Sequence, residues 1–187
     1  MPSQQQASSV IDFLSIVERL KRTKRTGWIY SGIAGPESIA DHMYRMGVMA
    51  MLVEDAALDR TRCVKMSIVH DLAEALAGDI TPLDGVSKAQ KRVLEQDALR
   101  QILATLGSDS AAAREIEALW LEYEDNGTAE ARLVHDLDKC EMIQQAMEYE
   151  KSDGMRLDSF FTSTQDVFTH PQVQSWADEI RRRRQCQ

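Results

Sequence analysis

Residues 61–78 read "TRCVKMSIVHDLAEALAG". Val64, Ile68, Val69, Leu72 and Leu76 recur at the spacing of one face of an α-helix, and Gly78 supplies a stop. The pattern predicts one helix from Thr61 to Gly78 with the adjacent pair His70-Asp71 inside it. From Met66 to Ser87 there is no Lys or Arg, yet Asp71, Glu74, Asp79 and Asp84 lie there. On such a helix Glu74 falls beneath both His70 and Asp71, and Asp79 follows just after Gly78. Apolar Ile68, Val69, Leu72 and Ala73 bracket the group, which puts it at the edge of a core. Acids in that setting need a compensating cation, because desolvating an unpaired charge is expensive. A divalent cation is the natural missing partner.

Outward from this stretch the helical period continues in both directions. Ser8 or Ser9 can cap a first helix through Val10, Phe13, Leu14, Val17 and Leu20, which "TGWIYSGIAGP" then breaks. Ser38 caps a second with Ile39, Met43, Met46, Met49, Ala50 and Val53, whose methionines read as core filler. After the "TPLDG" turn, "SKAQ" is a capping box for a helix ending at Gly107. A fifth helix covers about 110–125, a sixth runs from Thr128 to about Lys151, and a last one follows "THP" and carries Trp176. The expected fold is all-α: one compact bundle of six to seven helices. It forms a single domain over 1–187, with a core at about 13–163, a polar tail at 1–8 and a basic-ended C-terminal helix at 172–187.

Composition agrees. In 187 residues Pro and Gly are sparse, at 4 and 9, and aromatics make up 6%, which favours helix over sheet. No apolar run is long enough to span a bilayer, and the opening resembles no targeting signal, so no membrane partner is expected. Three scattered cysteines form no pair motif and fit a reduced compartment, cytosolic or nuclear. The net charge of −8 argues against binding a nucleic-acid polymer, which needs a basic face. Two basic clusters stand out, "KRTKR" at 21–25 and "RRRR" at 181–184; the second reads as a solvated helix end favoured by the macrodipole.

A second His-Asp-Leu occurs in "HDLDK", residues 135–139. Asp136 has Arg132 four residues before it and Lys139 three after it, so its charge is explained without a metal. Asp138 has only Val134, His135, Glu141 and Met142 at those positions, and lies roughly 160° round the helix from Asp136. The useful acid of this segment is therefore the second. A further nitrogen donor must come from elsewhere, and His42 lies in an amphipathic helix that has to pack on the core. His42 can equally be a satisfied core histidine, His135 a supporting neighbour of Asp138, and His170 a residue at a helix start. Two imidazoles and two carboxylates suit a borderline divalent metal with positions left open.

His42, then His70-Asp71, then Asp138, each on a different helix, resembles the H...HD...D signature of the HD-domain metal-dependent phosphohydrolases. With "PESIADHMYRM", "HDLAEALAGDITP" and "DLDKCEMIQQAMEYE", the chain is similar to the 5'-deoxynucleotidase branch over roughly residues 13–163. That resemblance implies removal of phosphate from deoxyribonucleoside 5'-monophosphates, a divalent metal (Mn, Co, Fe, Mg or Zn) and a homodimer. It makes His42, His70, Asp71 and Asp138 the metal ligands. It assigns Glu74 and Asp79 to catalysis, or to a second ion such as Mg2+ with the backbone oxygen of Ile80. It places Arg25 and Trp28 by the substrate, although Thr26 and Gly27 separate here two residues that are adjacent in bacterial relatives.

In the mechanism this implies, Glu74 takes or orients the proton of the attacking water. Arg25 grips phosphate oxygens, and Trp28 beside the sugar excludes a 2'-hydroxyl. Asp79 could act as acid to the leaving oxygen, hold the sugar or bind a second ion. The competing readings are another HD-type phosphohydrolase or phosphodiesterase acting on a different nucleotide, and a non-catalytic helical HD scaffold. Few histidines argue against the first, and an intact ligand set against the second.

Overall fold

The computed structural model describes residues 4–186, all-helical with no β-strand among them. The helices are α1 (Gln4–Val17), α2 (Thr26–Tyr30), α3 (Ile39–Met51), α4 (Arg60–Val69), α5 (Glu74–Ala77), α6 (Lys88–Ala104), α7 (Ala111–Asp125), α8 (Ala129–Asp153), α9 (Asp158–Thr162) and α10 (Pro171–Gln185). Seven of them have ten residues or more. The chain divides into two compact units, one of residues 1–43 and 68–121, the other of 44–67 and 122–187.

The caps explain most boundaries. Ser38 Oγ accepts the Asp41 N–H while Asp41 Oδ2 accepts the Ser38 N–H, so a reciprocal box opens α3. Ser87 and Gln90 do the same for α6, and Thr128 caps α8 by accepting the Ala131 N–H. Gly154, with φ 66°, closes α8 in the left-handed conformation that favours glycine.

Three expectations are corrected. Helix α1 already includes Gln4, so Ser8 and Ser9 are interior to it rather than its caps; Gln and Ala form helix well, and Phe13, Ile16 and Val17 anchor it on the first unit's core. Residues 1–3 lie outside the described part. The predicted Thr61–Gly78 helix is really two: α4 stops at Val69 and α5 starts at Glu74. Between them the bonds run from Leu72 N–H to Val69 O and from Glu74 N–H to Asp71 O, both 3.0 Å. That is tight winding of about three residues per turn, which eclipses Glu74 over Asp71. Finally, "RRRR" is not uniformly solvated: Arg182 and Arg183 pair with Glu179, but Arg184 folds inward onto Glu150.

The first unit's core gathers Leu20, Ile39, Leu72, Leu99, Ile102 and Trp120. In the second, α10 lays Val173, Ala177 and Ile180, one helical face, among its buried positions, and α8 buries Leu133, Leu137, Cys140 and Ile143.

Candidate metal centre

Three donors converge in the first unit. His42, on the second turn of α3, and His70, in the tight turn after α4, are both buried, their ring centroids 5.5 Å apart at 66°. Both turn Nε2 onto one oxygen, Asp71 Oδ2, from 3.9 Å for His42 and 3.2 Å for His70. Two imidazole nitrogens facing one carboxylate oxygen form a donor set that suits a divalent cation.

Asp71 does have a cation, one invisible to a search along its own helix. Arg25 arrives from 46 residues earlier in the chain and puts Nη1 3.5 Å from Asp71 Oδ2. Burial alone would raise the Asp71 carboxyl; His70, then Arg25 and His42, outweigh it and hold the group below the usual carboxylate range. Glu74 goes the other way. Burial, then the Asp71 and Asp79 charges, push it well above its ordinary value, against Arg25 and Lys91. Its Oε2 is buried with no hydrogen-bond partner among the described residues. A buried carboxylate oxygen left so is costly unless something cationic or a water answers it.

Asp79 is tied down. Its Oδ2 accepts the Thr26 N–H at 2.6 Å and its carbonyl accepts Thr26 Oγ1 at 2.8 Å. Gly78, at φ 76°, makes the turn that delivers it. Ile80 follows in irregular, half-buried chain. Trp28 is 1% exposed, with its indole N–H donating to Glu37 Oε1 at 2.9 Å, so it packs as a fixed wall inside the fold. Sequence reasoning missed Thr26, Glu37 and Lys91. Only Lys91 carried a local signal, its position four before Glu95, with which it pairs at 3.3 Å.

In the second unit the two acids of "HDLDK" have different partners from those expected along the helix. Asp136 owes nothing to Arg132 or Lys139: its Oδ2 accepts the backbone N–H groups of Thr169 at 2.7 Å and His170 at 2.6 Å, capping the start of α10. Lys139 instead reaches Asp138, Nζ to Oδ2 at 2.8 Å, so Asp138 has a cation adjacent in sequence. His135 stacks on Tyr123 and bonds its carbonyl, and His170 faces Asp55 at 3.3 Å, so both have structural roles within this unit.

The HD domain family model matches residues 17–176. The 5'-deoxynucleotidase HDDC2 of Homo sapiens is 45% identical over 176 residues, covering 93% of this chain and 85% of that protein. The 5'-deoxynucleotidase hdd1 of Schizosaccharomyces pombe is 46% identical, covering 95% and 91%. Among solved structures, a conserved hypothetical protein from Pyrococcus furiosus superposes with a TM-score of 0.74 at 31% identity, covering 92% of this chain and 99% of that one. A family model that matches most of the chain, with relatives 45% and 46% identical over nearly its whole length, means that this protein belongs to the HD domain family, among relatives named 5'-deoxynucleotidases.

Proposed function

We propose that the chain is a metal-dependent phosphohydrolase that removes the 5'-phosphate from deoxyribonucleoside 5'-monophosphates. The observation that carries this is the convergence of His42 Nε2 and His70 Nε2 on Asp71 Oδ2 with the Arg25 guanidinium against the same carboxylate. Asp138 is assigned as the fourth ligand on the resemblance. When bound, a divalent cation supplies Lewis acidity, lowering the pKa of water and drawing charge from phosphoryl oxygens. Its identity among Mn, Co, Fe, Mg and Zn is left to experiment.

The chain's own groups do the rest. Arg25 binds phosphate oxygens through its planar fork and brings the positive charge that a chain of net charge −8 must supply locally. Glu74 Oε2 takes the proton of the attacking water, for which its unanswered oxygen is suited. The new P–O bond forms as the bond to the 5'-oxygen breaks, and that oxygen takes its proton from solvent or from Asp79 acting as acid. Asp79 is assigned to catalysis or to a second Mg2+ alongside the backbone oxygen of Ile80. Trp28, a fixed wall, is assigned the rejection of the 2'-hydroxyl.

We further read residues 1–187 as one domain, since the family match runs through both units. The reading makes the protein a cytoplasmic homodimer, with the nucleus as second compartment. Cys63 and Cys140, buried thiols pushed up to about 12 chiefly by burial, and Cys186 are all free, in keeping with a reduced setting. No helix of the described residues is long and apolar enough to cross a membrane.

The test is phosphate release from matched deoxy- and ribonucleoside 5'-monophosphates across a panel of divalent metals. Deoxy substrates should be preferred, and Asp71→Asn should lose more than about a hundredfold, since even residues supporting a ligand are worth that much. Wild-type activity in Asp71→Asn, or no bindable metal, sinks the reading.

A further inference from the structure

We propose that Thr26 is a positioning residue for Arg25, clamping with Asp79 the backbone from which the guanidinium reaches phosphate. The inference rests on the reading that Arg25 binds the phosphate group.

An arginine is a long flexible side chain, and placing its fork to within a fraction of an ångström requires a backbone that does not move. The segment around Arg25 has little intrinsic order. Arg25 is the N-cap of α2, which has only five residues, too few to be stable alone. It is held from outside on two sides. On one, the Arg25 N–H donates to Glu37 O at 3.2 Å and the Ile39 N–H to Thr23 O at 3.0 Å. On the other, Thr26 alone makes both bonds to Asp79, through its N–H to Oδ2 and its hydroxyl to the carbonyl. At the far end of α2 the Tyr30 hydroxyl donates to Asp84 Oδ1, so the short helix is tied to the 79–84 stretch at both ends. Arg25 Nη1 then falls 3.5 Å from Asp71 Oδ2.

The clamp also bears on Asp79. Its Oδ2 accepts the Thr26 N–H, so besides its assigned part in catalysis or ion binding the carboxylate helps to hold Arg25 in place.

The experiment is a double-mutant cycle on the full-length, metal-loaded protein. Wild type, Thr26→Val, Thr26→Ala, Thr26→Ser, Arg25→Ala and the Thr26→Val/Arg25→Ala pair are compared. Two quantities are read: the Kd for inorganic phosphate by calorimetry, and KM with kcat for deoxyadenosine 5'-monophosphate. Thr26→Val should weaken phosphate and raise KM by about 3- to 10-fold, the worth of one hydrogen bond. Its kcat should stay within about twofold, because binding common to ground and transition states is what is lost. Thr26→Ser should behave as wild type, Thr26→Ala should repeat Thr26→Val if the latter folds poorly, and Thr26→Val should add nothing once Arg25 is gone. Unchanged Kd and KM in both Val and Ala variants, a serine variant as poor as valine, or additive losses in the pair overturn the clamp. A wild type that binds phosphate but releases none from any deoxynucleotide overturns the enzymatic reading instead, leaving the phosphate cycle to judge the clamp.

Discussion

At the scale of single residues, Asp136 and Asp138 have different partners and different proposed roles. Asp136 accepts two backbone N–H groups at the start of α10, so its charge is spent on a helix end. Asp138 is buried and accepts from the ammonium of Lys139, a partner that a metal can displace. Asp136→Asn should lower stability by about 1–2 kcal/mol, the usual worth of a cap, while metal content stays at the wild-type value. Asp138→Asn should fold with little loss and purify without metal. Thermal melts and elemental analysis of both variants decide it, and the reverse pattern would show that the wrong acid was chosen. In the sequence the two acids differ in the cations found three and four residues away. That spacing misleads for both residues, because Lys139 serves its immediate neighbour and the true partner of Asp136 lies 33 residues on.

At the scale of elements, the long helices were legible and the short ones were not. Ser38, Ser87 and Thr128 each announce a helix through a polar cap before an apolar period, and each caps in the structure. The five-residue helices α2 and α9 carry too little period to be seen, and the turn at 70–73 is hidden because tight winding leaves the apolar spacing almost unchanged. The candidate site was legible as residue types along His42, His70 and Asp71, whereas Arg25 meets Asp71 only through tertiary folding. The seam of α8 and α10 was equally hidden. Glu150 accepts Arg184 at 2.6 and 2.8 Å and the Leu157 N–H at 2.6 Å, and the same guanidinium lies 3.9 Å from the centroid of Phe161. The Arg184 bonds, then the Leu157 N–H, hold the Glu150 carboxyl below its ordinary value against burial. A carboxyl depressed in the folded state stabilises it fully above the unfolded value of about 4.3 and stops doing so as pH falls through the lower folded value. Glu150→Gln should therefore cost about 2–3 kcal/mol at pH 7, a drop in Tm of roughly 4–12 °C, and much less at pH 3. Melts at the two pH values test it, and an equal cost at both would mean that packing, not charge, holds the seam.

At the scale of the whole molecule, the proposed homodimer would require an acidic chain to pair with itself. Single exposed apolar residues need no explanation, but Tyr44, Val48, Met51 and Leu52 recur at i, i+4, i+7 and i+8 along and just past α3, and Tyr44 is 75% and Met51 61% exposed. Residues at that spacing share one helix face, the surface expected of a contact in the second unit if the chain forms the proposed homodimer. Two copies, each of net charge −8, repel at long range, so association has to come from the apolar surface, and added salt should help by screening the repulsion. Sedimentation of the wild type should give twice 21.1 kDa, with dissociation weakened between about 10 mM and 150 mM salt, where the screening length falls from roughly 30 to 8 Å. The Val48→Glu/Met51→Glu pair should sediment at 21.1 kDa with its melting temperature little changed, because exposed substitutions rarely cost more than about 0.5 kcal/mol. A monomeric wild type at micromolar concentration would remove the homodimer. A variant that stays dimeric would move the contact off α3, and the next apolar surface to test is Val10, Ile11 and Leu14 of α1, also exposed, by the same glutamate substitutions.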